Sequence, residues 1–595
     1  MYNRFPTIPA TGDRQCFRGW PSICSHLATT TQSLLSNRPR LILAIECYPG
    51  VHLTELHREL SHHLHPTHLL LSSDAFKSAQ EIDHLISPYL GGNDPLFGFL
   101  SPLHLIDFLD PHKLSALREK IASLNGLLLI LGPAATLCCT PDILIYADMP
   151  RWEGQLRQRR NEVSNLGVDN PTLSASLQYK RSFFVDWRVC DRLKQQTLPR
   201  WDYLLDTTIP DDPKLITGDS LRATLDQTAH RPFRVVPFFD PAPWGGQWLK
   251  EKFDLDPSVP NYGWGFDCVP EENSLLLHYG NAQVEIPALN LVFHRPRQLL
   301  GDTIFDTLGH EFPIRFDFLD TIRGGNLSLQ VHPTVQYARE NFGLPYTQDE
   351  SYYIIEAEEG ASVFLGLRPA INPDEMIASL EHAQSGGPPF PAHHFVANWS
   401  ARKHDHFLIP AGTVHCSGAN TVVLEISATP YIFTFKLWDW SRLGLDGLPR
   451  PINIDRGKAV IQWTRDQDWV GRNLVNQTVP LAQGPGWREE RTGLHELEFI
   501  ETRRHWFTST VPHDTQGNLN VLNLVEGQQA LVQSPDNAFP PFPVNYCETF
   551  ILPASVGPYT LRPHGPSAGK QCATIKASVR NNLRNILQVT STDSP

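Results

Sequence analysis

Methionine is scarce in this chain, three in 595 residues, and no pair among its ten cysteines has zinc-finger or redox spacing. Adaptable thioether packing is therefore largely absent, and thirty phenylalanines point instead to a rigid, aromatic-rich interior. Cys138 and Cys139 are adjacent, which suits neither an unstrained disulfide nor a chelate, so a reduced intracellular compartment is the simplest expectation. Positive charge is also short, with 50 Lys and Arg against 63 Asp and Glu and a formal net charge of -13. A nucleic-acid surface needs a basic stripe to displace counterions, so that partner class is excluded. An anionic small substrate is not, because a local basic pocket can sit inside an acidic protein. Long hydrophobic runs are missing too. The longest, residues 126–139 (GLLLILGPAATLCC), is broken by Gly132 and Pro133 and is too short to span a bilayer. The opening MYNRFPTIPATGDRQCF has no apolar h-region, so no signal peptide is expected. The chain reads as a cytoplasmic protein with no membrane partner.

What is present divides the chain. At this length more than one core is expected. Residues 1–38 are polar, turn-rich and aperiodic, and are expected to form a loose tail. Residues 39–215 alternate short apolar runs (41–45, 69–71, 127–131, 143–147) with helical stretches (53–64, 110–124, 151–162). Such strand–helix alternation predicts a layered α/β domain with a parallel sheet. From residue 233 onward, close-spaced β-branched strands and turn signals replace the helices, which predicts antiparallel sandwich or jelly-roll material with helices only near 335–342 and 373–382. FLIPAG at 407–412 and FILPAS at 550–555 echo one another as equivalent corners of two related β-domains. The expected domains are 39–215, 233–463 and 480–590.

The chemical signal lies in the middle section. In LSLQVHP, residues 327–333, Gln330 and His332 are two apart on a strand and project from one face. Eighteen positions on, Glu350 opens the strand-like DESYYII, and His415 follows a Pro-Ala-Gly turn in FLIPAGTVHC. Two imidazoles, a carboxylate and an amide suit zinc with one position left open. Taken singly, each is as readily a hydrogen-bonded structural residue, and glutamine is an unusual ligand. The histidines at 52, 57, 62, 63, 65 and 68 have no partner pattern and read as a solvated helix face, while His393 and His394 read as surface. His404 and His406, just before the turn, are not favoured as ligands.

LSLQVHP, DESYYII and LIPAGTVH, in this order, resemble the three signatures of the class I mannose-6-phosphate isomerases. The resemblance runs from about residue 233 to 463 and takes in DPAPWGG (240–246), FPIRFDFLD (312–320), VLEI (423–426), WDWSR (438–442) and PRPINID (449–455). It implies a zinc bicupin, two cupin jelly-roll barrels, that interconverts mannose 6-phosphate and fructose 6-phosphate. Its Zn2+ ligands carry over to Gln330, His332, Glu350 and His415. Glu425 is implied as the proton carrier together with Lys436, and Arg442, Arg450 and Trp244 as substrate contacts. The partner expected is a phosphorylated hexose, with room for a homo-oligomer. The second cupin, in 480–590, lacks a histidine at the place of His415 and is expected to hold no metal. Three positions depart from the family pattern: Lys436 in place of an arginine, Asp317 in place of a lysine, and Tyr262 in place of a glutamate. An isomerase or epimerase of another sugar, or a sugar-sensing cupin without turnover, is the alternative.

The N-terminal domain carries AIECYPGVH, residues 44–52, at the place of a P-loop, and Gly50 is there without the phosphate-gripping lysine. ILIYAD (143–148) with RWEGQLRQRR (151–160), and YKRSFFVDWRVCDRLK (179–194), resemble the strand and arginine-bearing lid of nucleoside and uridine kinases. The resemblance implies a degenerate P-loop-like kinase fold that regulates, dimerises or binds a ligand.

Overall fold

The structure is a computed structural model that describes residues 1–428, 433–444, 447, 450, 452–493, 495, 497–583 and 587. Pro449 and Pro451 of the 449–455 motif, and residues 584–586 and 588–590 of the expected C-terminal domain, lie outside the described residues. The chain forms two compact units, one of Thr7–Thr228 with Glu271–Arg295, the other of Met1–Pro6, Ala229–Pro270 and Pro296–Pro595.

The first unit is built on a seven-stranded sheet ordered Cys16–Arg18, Lys214–Thr217, Tyr203–Asp206, Ile143–Asp148, Arg40–Cys47, Gly126–Gly132, His68–Leu71. The last five run parallel and the first two pair antiparallel. Strands covered on both faces are apolar throughout, which is why 41–45 and 127–131 show no alternation. Helices occupy Leu53–Leu64, Pro111–Ser123 and Arg151–Arg159, close to the expected stretches. The second starts sharply because the Asp110 carboxylate accepts from His112 N at 2.8 Å and Lys113 N at 3.0 Å, with Pro111 at the first position. A cavity of about 560 Å³ opens at the carboxyl ends of the central parallel strands, lined among others by Tyr48, Val51, Leu53, Phe76, Pro133 and Leu166.

Two boundaries differ from those expected. Residues 1–38 are not a loose tail. They supply strands Thr7–Pro9 and Cys16–Arg18 and the helix Trp20–Leu35, whose Trp20, Ile23, Cys24, Leu27 and Thr31 are buried. Polar residues on the outer face had hidden that helical spacing. Residues 271–295, expected within the middle β-domain, belong to the first unit. Their hairpin, Ser274–Tyr279 with Ala282–Pro287, pairs with Thr7–Pro9. Glu285 N donates to Asp206 at 2.9 Å, and the Asn290 amide to Asp148 at 3.0 Å.

The second unit contains two antiparallel β-sandwiches. The first packs a six-stranded sheet (His406–Ile409, Glu350–Ala357, Thr421–Ser427, Arg315–Asp320, Trp264–Cys268, Phe238–Asp240) against a five-stranded one (Val396–Ser400, Ser362–Leu367, His415–Ser417, Leu329–Val331, Phe435–Trp438). The other pairs a six-stranded sheet (Val479–Gly484, Trp487–Gly493, Ile500–Phe507, Cys572–Val579, Asn520–Glu526, Thr549–Leu552) with a four-stranded one (Val511–Asp514, Pro558–Pro563, Gln529–Gln533, Phe542–Asn545). Phe507, Leu522, Leu524 and Phe550 from one sheet meet Val511, Val532, Val544 and Leu561 from the other in its core. The two echoing motifs occupy matching places, since His406–Ile409 and Thr549–Leu552 are each the edge strand of a six-stranded sheet. Helices Val335–Phe342 and Pro373–Gln384 sit where the spacing predicts, capped by Thr334 and Asn372.

Leu27 is 1% exposed. Leu27→Ala should therefore lower stability by about 2–5 kcal/mol in chemical denaturation, whereas a residue in a loose tail would register no change.

Candidate metal centre

The site follows from strand register. Gln330 and His415 are direct cross-strand partners, and Gln330 also faces Lys436 on its other side. Directly paired residues share a sheet face, so these three side chains enter the interior together. On the opposing sheet, Glu350 pairs with Ser427 and Tyr352 with Glu425, while Asp317 pairs with Glu425 and Arg315 with Ser427. That places Glu350, Glu425, Asp317 and Arg315 on one inner face. The two faces meet at Glu350, whose carboxylate lies 3.1 Å from His332 Nε2 and 2.9 Å from His415 Nε2. His332, Glu350 and His415 are buried, and their ligand atoms lie within 4.8 Å of one another.

The surroundings fix which nitrogen faces the centre. His332 Nδ1 donates to Phe433 O at 2.9 Å, and His415 Nδ1 to Thr413 O at 2.8 Å. Each imidazole is thereby held with its Nε2 toward Glu350. His332 Nε2 makes no hydrogen bond although it is fully buried against a carboxylate. With both rings neutral, two lone pairs and a carboxylate at such range need a cation among them, so the residues present fit a metal ion. The Gln330 amide is 3.2 Å from His415 Nε2. Its two ends are isosteric, so a half-turn brings the acceptor oxygen to the same point as a fourth ligand. Gln348 donates to Glu350 Oε2 at 2.9 Å and accepts from Phe433 N at 3.1 Å, tying the carboxylate to the loop that orients His332.

The remaining expected residues separate into those brought to this interior and those that are not. Burial first, then the Glu350 and Asp317 carboxylates, hold Glu425 well above the usual carboxylate range, with Arg315 opposing. Asp317 shares that face but is paired with Arg315 at 3.5 Å. Lys436 is pushed down to about 8 by burial and by Arg450, against the pull of Asp439. Arg442 and Arg450 both grip Asp439, each at 2.7 Å, and Arg450 also reaches Ser328 Oγ at 3.0 Å. One carboxylate thus anchors two guanidinium groups beside a lysine and leaves that end cationic. Trp244 is placed in the core, 1% exposed and edge-on to Trp264, rather than at a surface that a ligand could reach. His404 and His406 stand outside the cluster, His404 on Glu526 at 3.2 Å and His406 buried and pushed down to about 3 by desolvation. Sequence reasoning missed Gln348, whose signal was position alone, two residues before Glu350.

With this geometry in place, three comparisons bear on the chain. Residues 19–230 match the family model described as a domain of unknown function (DUF8485). The Bacillus subtilis (strain 168) protein YvyI is 24% identical over 345 residues, covering 56% of this chain and 96% of the relative. A mannose-6-phosphate isomerase of Streptococcus mutans is 26% identical over 222 residues, 37% of this chain and 64% of that protein. The crystal structure of the mannose 6-phosphate isomerase from Bacillus subtilis superposes at TM-score 0.47 and 19% identity, covering 58% of this chain and 99% of that one.

A metal held this way should be stoichiometric. Purified protein is expected to carry about one divalent ion per chain by elemental analysis, and His415→Ala to lose it. Full retention in that variant would remove His415 from the site.

Proposed function

We propose that this chain is a zinc-dependent aldose–ketose isomerase that interconverts mannose 6-phosphate and fructose 6-phosphate on the first β-sandwich, a cupin barrel. The observation that carries the reading is the meeting of His332, Glu350 and His415, with Gln330 beside them, in an interior that also holds an acid–base group and a cationic end. Relatives named mannose-6-phosphate isomerase, matched over 37% and 39% of this chain, support it.

Gln330, His332, Glu350 and His415 would hold the ion. When bound, it supplies a Lewis acid that favours negative charge on a substrate oxygen. Moving a carbonyl between C1 and C2 requires a proton to leave one carbon and return to its neighbour. Glu425, its proton affinity raised by burial and by the Glu350 and Asp317 carboxylates, is the carboxyl group that would accept and return that proton. Lys436, Arg442 and Arg450 would receive the phosphate, a dianion that is costly to desolvate without cationic partners. Asp317 does not oppose this, because Arg315 neutralises it on its own strand.

The N-terminal unit is read as a P-loop-like fold without phosphate transfer. Its parallel strand order and its cavity at the strand ends support the fold. Three features oppose the chemistry. Val51 is buried where the lysine would stand, a Cβ on Gly50 would lie 2.2 Å from Met149 Cε, and Asp148 is already paired with Lys194 at 2.7 Å. No ATP hydrolysis or phosphate transfer to a sugar or nucleoside is expected in a coupled assay, and activity abolished by changing Arg159 and Arg160 would overturn this.

Isomerisation of mannose 6-phosphate should be measurable and should exceed that of free mannose. Glu425→Gln should lower kcat by about a hundredfold or more. A lysine is charged below its pKa, so KM should climb as pH rises through about 8, and Lys436→Arg should flatten that climb. Equal turnover of free mannose would point to a different sugar.

A further inference from the structure

One turn ties the metal centre together. In the 410–413 turn, Thr413 O accepts from His415 Nδ1 at 2.8 Å, Gly412 N donates to His332 O at 3.0 Å, and Ala411 N donates to Asp349 Oδ1 at 2.8 Å. Asp349 immediately precedes Glu350. Each member of the His–Glu–His cluster is therefore linked to this turn directly or through its neighbour. The turn also leaves three acceptors converging on one side. Arg465 Nη1 meets all of them, Pro410 O at 2.9 Å, Ala411 O at 2.7 Å and Thr413 Oγ1 at 2.6 Å.

We infer that Arg465 is a positioning residue for the metal centre, holding the 410–413 turn and through it the orientation of His415 and its neighbours. The inference rests on the metal-centre reading above. Arg465 is itself firmly placed. It is 9% exposed, its N donates to Gln462 O at 3.1 Å, its O accepts from Leu367 N at 3.0 Å, and its guanidinium lies 5.5 Å from the Trp469 ring. The turn cannot retreat from it, because Gly412 has φ +87° and a Cβ there would meet Gln462 Cγ at 2.6 Å and Val460 O at 2.9 Å. One buried cationic nitrogen donates toward all three oxygens and so holds them together in a dry interior. Without it, the turn loses the donor shared by Pro410 O, Ala411 O and Thr413 Oγ1. Any rotation of the Thr413 carbonyl then moves the hydrogen bond that sets the His415 ring. Nothing in the sequence motifs marks this arginine, which lies in the WTRD segment, 463–466, beyond them.

The test measures metal handling, without sugar turnover. Wild type, Arg465→Met, Arg465→Lys and Thr413→Val are loaded with Co2+, and release into excess chelator is timed alongside the visible absorption of the bound ion and thermal unfolding of the apoproteins. Arg465→Met is expected to release metal about ten- to a hundredfold faster with an altered spectrum. Arg465→Lys, which keeps charge and donors, should recover most of the loss, and Thr413→Val should shift release in the same direction by less. Should Arg465→Met fail to fold, the other two variants decide the matter, since wild-type release and spectrum in both would overturn the inference. Wild-type release in Arg465→Met overturns it outright, as does a loss that merely follows apoprotein stability and is not recovered by lysine. Wild-type protein that binds no Co2+ would instead overturn the metal-centre reading beneath it.

Discussion

Two imidazole nitrogens face one carboxylate at 3.1 and 2.9 Å in a buried interior, and everything around them is arranged to keep them there. The carbonyls of Phe433 and Thr413 take the opposite protons, Gln348 steadies the carboxylate, and the 410–413 turn joins the strands that carry all three. Such a cluster costs free energy unless a cation compensates it. Its presence in a well-paired sandwich is the constraint from which the chemistry follows. A metal at this point needs an acid–base group on one side and a landing place for the rest of the substrate on the other. Glu425 and the Lys436–Arg442–Arg450 end would provide these under the proposed function.

The second sandwich shows what happens to the same strand order without that constraint. Its register pair His513–Tyr559 occupies the strands that match those of Gln330 and His415. There the Tyr559 hydroxyl donates to Asn520 at 3.2 Å and its ring stacks on His513 at 4.9 Å. Hydrogen bonding and stacking fill the place where the first sandwich gathers ligands. The paired interior positions hold polar side chains in both sandwiches, while what surrounds them differs.

Much of this was legible beforehand, for identifiable reasons. Periodicity located Leu53–Leu64, Val335–Phe342 and the parallel strands, because their apolar spacing or continuous burial is visible in one dimension. The grouping of Gln330, His332, Glu350 and His415 was legible because Gln330 and His332 share a strand face and the motif order resembles a known family. Other features depended on long-range pairing. The hairpin 274–287 reads as ordinary β-sandwich material, yet it joins Thr7–Pro9 in the other unit. Trp244 looked like a contact residue because its motif did, but its ring is spent on the core. Asp317 departs from the family pattern toward negative charge, and the structure pairs it with Arg315 two residues before it.

The central claim is that Glu425 moves a proton between adjacent carbons beside a metal held by Gln330, His332, Glu350 and His415. Its most direct test is proton exchange followed by NMR, with mannose 6-phosphate incubated in D2O with metal-loaded protein. Deuterium entering the substrate at C2, or the ketose product at C1, and lost in Glu425→Gln that still holds its metal, is the expected result. Fully loaded wild-type protein that leaves both the sugar's carbon-bound protons and its aldose–ketose ratio untouched would contradict it.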